Sequence, residues 1–218
     1  MRAERGSPRR PGSLTIMRIE LDSLDPKGRY KLLTGTVVPR PIGWISTRSS
    51  RGFDNLAPYS FFNAVAYTPP QVMFASTSGK SDRARGKDSL GNIDQTGVFC
   101  VNVVEEEAIH HMNASSASLA AGEDEFPHSE VTKAACNEIA CSRVALAPAS
   151  LECRLSQLIQ LEGEDNFMVI GRVVGVHIRD DCLVDGKFDI TRFGMVTRLG
   201  YRDYSVIREA FELTRPDD

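Results

Sequence analysis

Two runs in the last third of the chain constrain the fold more than any other feature: Ser150–Gln160 (SLECRLSQLIQ) and Phe167–Ile178 (FMVIGRVVGVHI). The first alternates apolar and polar residues, the period of a strand with one buried face. The second is long, apolar and β-branched. Gly163-Glu164-Asp165-Asn166 supplies turn chemistry between them, so the pair reads as a β-hairpin.

Shorter strand-like runs stand at Gly43–Ser46, Gln71–Ser76 and Val98–Val104. Arg51-Gly52 and Asp54-Asn55 offer turn residues after the first. Helices are few and short. One starts at Asp25-Pro26 and runs through Leu33; another covers Ser89–Gln95, stopped by Gly97; a helical turn covers Glu105–Met112. Many short strands with only short helices predict a mainly β (α+β) chain. The expected form is a closed or nearly closed antiparallel barrel.

A length of 218 residues suits one domain, and 41% hydrophobic residues suffice for a core. Residues 1–16 mix Arg2, Arg5, Arg9 and Arg10 with Gly, Pro and Ser, so they read as a disordered extension. The folded domain is expected over 17–208, with a frayed tail over 209–218. A net charge of -3 provides no global positive field for nucleic acid or an anionic membrane. A local basic cluster can still hold one phosphate. No apolar run reaches the ~18 residues of a membrane span, and the N-terminus lacks a secretory apolar core. The five cysteines are irregularly spaced without a CxxC, and the four histidines form no HExxH. Reduced thiols, a cytoplasmic location and no metal are the expectation.

Several catalytic signatures are missing. There is no GxGxxG, no GxSxG, and Gly79-Lys80-Ser81 fails as a phosphate loop because Phe74 stands where a glycine is required. The informative stretch is Pro39–Asn92: PRPIGWIST (39–47), NLAPYSFFNAV (55–65), PPQVMFASTS (69–78) and KDSLGNI (87–93). It holds hydroxyls and cations suited to a phosphate and ribityl chain in Ser60, Ser76, Thr77, Ser78, Ser89, Lys87 and Arg40. Trp44, Phe61 and Phe62 offer flat apolar contacts for a ring, and Ala57, Pro58 and Ala75 allow close backbone approach. On residue chemistry alone, Phe61-Phe62 is more often core, Ser76-Thr77-Ser78 a polar loop, and Lys87-Asp88 a solvated pair.

In order and spacing these pieces resemble the flavin reductase-like family of FMN-binding split barrels. Further pieces share the resemblance: MN (112–113), DEF (124–126), LECRL (151–155), VIGRVVGVHI (169–178), LVDGKFDI (183–190) and RLGYRDYS (198–205). It covers residues 18–205. It implies a six-stranded antiparallel Greek-key split β-barrel with short flanking helices, working as a homodimer with FMN near the subunit interface. It further implies that Ser60, Phe61, Phe62 and Asn63 line the flavin, with Trp44 near the ring. Ser76, Thr77 and Ser78 would meet the ribityl and phosphate end, Lys87 and Ser89 would hold the phosphate, and Arg40 is a further contact. The basic segment 78–86 (SGKSDRARG) departs from the family pattern, and its cations compete with Lys87 for that role.

The implied activity is hydride transfer from NADH or NADPH to flavin, and on to a flavin or other acceptor. The cofactor carries that chemistry, so no catalytic acid or base is named. The alternatives are an FMN-binding electron carrier without NAD(P)H turnover, or a flavin-sensing or storage protein.

Overall fold

The computed structural model describes residues 16–77, 87–120 and 122–216. In chain order these form α1 (Pro26–Thr36), β1 (Arg40–Pro41), β2 (Gly43–Arg48), β3 (Asp54–Tyr59), β4 (Phe62–Tyr67), β5 (Pro70–Ser76), α2 (Asp88–Thr96) and β6 (Val98–Asn102). Then come α3 (Ile109–Ala114), α4 (Glu125–His128), β7 (Lys133–Ala135), β8 (Ser142–Val144), β9 (Ala149–Gln160), β10 (Phe167–Ile178), β11 (Leu183–Val184), β12 (Lys187–Phe188), β13 (Met195–Arg198) and β14 (Tyr204–Ile207). Among the described residues no helix is long and apolar enough to cross a membrane.

The main sheet has seven strands in the order β3-β2-β6-β9-β10-β5-β4, every pair antiparallel. Seven replaces the expected six. Asp54–Tyr59 and Phe62–Tyr67 are strands, where the sequence suggested turn and ligand residues. Pro58 obscures β3, and the structure accommodates it because β3 ends the sheet order and tolerates a missing N–H. Asp54 is no turn residue: it is buried and holds Arg48 (2.8 Å), Lys133 (2.7 Å) and Ser142 (2.9 Å).

The two end strands, β3 and β4, follow one another in the chain with only Ser60 and Phe61 between them. Phe61 turns its carbonyl to the Ala75 N–H of β5 at 2.8 Å. The sheet therefore comes round on itself. The connection from β5 to β6 skips β10 and β9 in the sheet order, a Greek-key crossing that carries α2.

Inside, Phe74 packs edge-on to Phe99 (centroids 5.5 Å apart) and against Tyr59 (4.7 Å). Leu90 and Ile93 bring α2 into the same core. The β9–β10 hairpin matches expectation, with Phe167 opposite Gln160 and Ile178 opposite Ala149, interrupted by two irregularities. At the first, Gly171 leaves its side-chain position to the Phe99 ring: a Cβ there would stand 2.3 Å from Cζ. A second core of Ile42, Trp44, Leu56, Val104, Met112 and Phe126 gathers residues of α3 and α4.

One buried carboxylate organises the loop between β7 and β8. Glu152 of β9 is 1% exposed and accepts the backbone N–H groups of Asn137 (2.8 Å), Glu138 (2.6 Å) and Ile139 (3.1 Å). His177 of β10 adds a close Nε2 contact. Burial alone would raise the Glu152 pKa. The Asn137, His177 and Glu138 hydrogen bonds outweigh it and hold the group below the usual glutamate range.

Candidate functional site

A cleft of about 290 Å³ opens where β3 turns into β4. Tyr59, Ser60 and Phe61 line it at that turn, Thr77 enters just after β5, and Lys87 enters just before α2. The chain thus collects four of the expected ligand residues (Ser60, Phe61, Thr77 and Lys87) from separate elements. The remaining lining includes Tyr30 of α1, Asn113 of α3, and Arg198 and Tyr204 of β13 and β14. A second cleft of about 270 Å³ shares Pro58, Tyr59, Lys87 and Ser116, and adds Ser89, Asn55 and Glu125.

The shared wall is rich in hydroxyl groups. Tyr59 is 4% exposed, and its phenol faces the hydroxyls of Ser89 and Ser76 without making a well-formed hydrogen bond. Burial pushes its pKa up to about 12, so the phenol stays protonated and able to donate at neutral pH. Lys87 Nζ lies 5.2 Å from the centroid of the same ring. A buried donor left over among two hydroxyls and an ammonium fits the phosphate and ribityl end of a flavin mononucleotide. Phe61, Tyr30 and Tyr204 offer aromatic surface in the adjoining cleft.

Helix α2 begins at Asp88 with Lys87 as its N-cap, so Ser89 lies inside the first turn. There it is buried and hydrogen-bonded to the Asn55 side chain at 2.9 Å.

Other expected residues stand elsewhere. Trp44 is 1% exposed and belongs to the second core, where its Nε1 donates to Ser115 Oγ at 2.8 Å. Phe62 packs against the barrel core and over Gly43, whose missing side chain makes room for the ring. Asn63 is exposed on β4, and its Oδ1 accepts the Ala64 N–H at 2.9 Å. Arg40 is buried, with its Nη groups donating to the carbonyls of Thr34 (2.7 Å), Val37 (2.5 Å) and Leu199 (3.0 Å). That use ties α1 to the β13–β14 turn. Ser78 and the basic segment 78–86 lie outside the described residues.

Tyr59, Tyr30, Arg198 and Tyr204 carry no local sequence signal of a place in this cleft. Tyr59 stood beside Ser60 in the NLAPYSFF run, and Arg198 and Tyr204 lie in RLGYRDYS, a segment read only as a resemblance.

The family model described as "Flavin reductase like domain" matches residues 34–192. Nitrilotriacetate monooxygenase component B of Bacillus cereus superposes with a TM-score of 0.86 at 31% identity, covering 92% of this chain and 100% of that one. The 2-nitrobenzoate 2-nitroreductase NbaA of Pseudomonas fluorescens gives 0.81 at 28% identity, covering 92% and 96%. A split-barrel-domain protein from Shewanella frigidimarina gives 0.78 at 20% identity, covering 89% and 96%, and shares the fold. The family match spans every strand of the main sheet together with Tyr59, Ser60, Phe61, Thr77 and Lys87 of the cleft, and on that ground the chain belongs to the flavin reductase-like family, on a split-barrel fold.

Proposed function

We propose that the cleft binds FMN, and that the protein is a flavin reductase-type oxidoreductase using NADH or NADPH. The observation that carries this reading is the buried Tyr59 phenol, set between Ser76 and Ser89 and beside Lys87 in a chain of this family. Lys87, Ser89, Ser76, Thr77 and, by sequence adjacency, Ser78 would receive the phosphate and ribityl end. Ser60 and Phe61 would meet the ring. Bound flavin supplies the redox chemistry, taking a hydride from the nicotinamide and passing electrons to free flavin or another acceptor. The protein's part is to bind and orient.

The purified protein, or protein mixed with FMN, is expected to show a flavin visible spectrum with quenched fluorescence. Anaerobic mixing with NADH and with NADPH is expected to bleach the flavin band. A titration that leaves flavin fluorescence and protein melting unchanged sinks FMN binding. Bound flavin that neither nucleotide bleaches makes the protein an electron carrier instead.

The working unit proposed is a homodimer. In support, β4 is an edge strand whose residues Asn63–Tyr67 are all exposed, Val65 at 51% and Tyr67 at 91%. An open apolar edge is a liability for a lone subunit. Sedimentation of the FMN-bound protein at micromolar concentration is expected to give a dimer mass, and a monomer mass rules out a shared site.

A further inference from the structure

Strands β1 and β13 pair so that Arg40 stands directly across from Arg198. Like charges in that position repel. Among the described residues neither arginine is ion-paired to a carboxylate. Arg40 is a fixed charge, buried and held by three backbone carbonyls. Arg198 is placed differently. It lines the cleft, half-buried, with Cζ 4.4 Å from the centroid of the Tyr204 ring. Its Nη2 donates to the Tyr201 carbonyl at 2.7 Å, the one hydrogen bond of its side chain among the described residues. A guanidinium carries five N–H donors in a rigid plane. The Tyr204 ring and the Tyr201 bond hold the group in place, and most of the fork is left for a ligand. A planar fork matches a carboxylate or phosphate. The Lys87 end of the cleft is built by other elements, β3, β5 and α2.

We propose that Arg198 is an anion-recognition residue for the second ligand of the cleft, the electron donor or acceptor, and that this ligand joins a flat ring to a phosphate or carboxylate. The ring would lie by Tyr30 and Tyr204, next to the flavin that Phe61 meets, and the anion on Arg198. Arg40 behind it adds positive potential without direct contact. This rests on the flavin reading of the cleft above. The anion has two possible sources: the phosphates of a nicotinamide nucleotide, or the carboxylate of an aromatic acceptor.

The test uses FMN-loaded wild type, Arg198→Ala and Arg198→Lys. Flavin fluorescence measures affinity for FMN and riboflavin. Anaerobic reduction is followed with NADH, NADPH and 1-benzyl-1,4-dihydronicotinamide, a neutral donor. Perturbation of the flavin band measures benzoate against neutral benzamide. Arg198→Ala is expected to change FMN and riboflavin affinity alike, if at all, because the FMN phosphate is assigned to the Lys87 end. It should weaken the anionic probes by about 10- to 150-fold, the worth of one charge-assisted hydrogen bond, and spare the neutral ones. Arg198→Lys should recover part of the loss. Loss confined to NADH and NADPH assigns the anion to a phosphate donor; loss confined to benzoate assigns it to a carboxylate acceptor. Equal loss of charged and neutral probes, no loss for any probe, or a loss of FMN that riboflavin does not share overturns the proposal. A wild-type protein that binds no flavin overturns the reading of the cleft itself, a result distinct from all of these.

Discussion

Lys87→Ala is expected to weaken FMN by about 10- to 150-fold, the equivalent of roughly 1.5–3 kcal/mol, and to leave riboflavin affinity where it was. Riboflavin lacks the phosphate, so it cannot sense a phosphate-binding cation. The geometry concentrates this effect on one side chain, because Lys87 lines both clefts and sits over the Tyr59 ring. Ser89→Ala should show the same selectivity with a smaller loss, since a neutral donor is removed. It should also cost some stability, because the Asn55 side chain loses its buried partner. Fluorescence titration of both flavins against both variants decides the matter. Equal weakening of FMN and riboflavin by Lys87→Ala would mean that Lys87 supports the fold and not the phosphate.

The largest loss of stability away from the cleft is expected at Glu152. Glu152→Ala leaves the N–H groups of Asn137, Glu138 and Ile139 without their acceptor and removes the contact to His177. Breaking a buried charged network costs about 3–5 kcal/mol. For a chain of this size that lowers the melting temperature by roughly 6–20 °C. The pH dependence has a definite sign. The folded-state pKa of Glu152 lies below its ordinary value of 4.5, so the folded protein holds this carboxylate ionised more tightly than the unfolded chain does. The stabilisation is complete above the ordinary value and is lost as pH falls through the lowered one. Glu152→Gln should therefore melt well below wild type at neutral pH and approach it in acid, seen by circular dichroism. A gap that stays constant with pH would assign the effect to packing rather than charge.

How much of this was legible in the sequence depended on whether local pattern or distant contact decides a residue's place. The β9–β10 hairpin was legible because alternation and turn chemistry act within one short segment. The β3 and β4 strands were not, since Pro58 and the Phe61-Phe62 pair break the pattern, and only the edge position in the sheet makes the proline harmless. In the cleft, Ser60, Phe61, Thr77 and Lys87, which the resemblance assigns to one ligand, come together from separate parts of the chain. Phe62 and Trp44 turn into cores instead, and neighbours distant in sequence set that choice: Gly43 makes room for Phe62, and Ser115 takes the indole N–H. Arg40 looked like a phosphate ligand because a lone arginine gives no sign that backbone carbonyls will occupy its donors. Arg198 and Tyr204 could not be placed at all, because α1, β3 and β13 meet only in three dimensions.

The closure of the sheet also decides when a binding site comes into existence. The β9–β10 hairpin joins neighbours across the short connection 161–166 and forms from local contacts. Strand β5 must find β10 across about ninety residues, with Ser76 opposite Phe167. Such a pairing carries its loop-closure entropy before any contact rewards it, so it belongs to the slow part of folding. Thr77 follows directly on β5, and the Phe61 carbonyl is held by Ala75 of the same strand. The walls of the cleft therefore exist only in chains whose β5 and β10 have already paired. A ligand has nothing to grip in a nascent or half-folded chain, and what it holds is the finished closure.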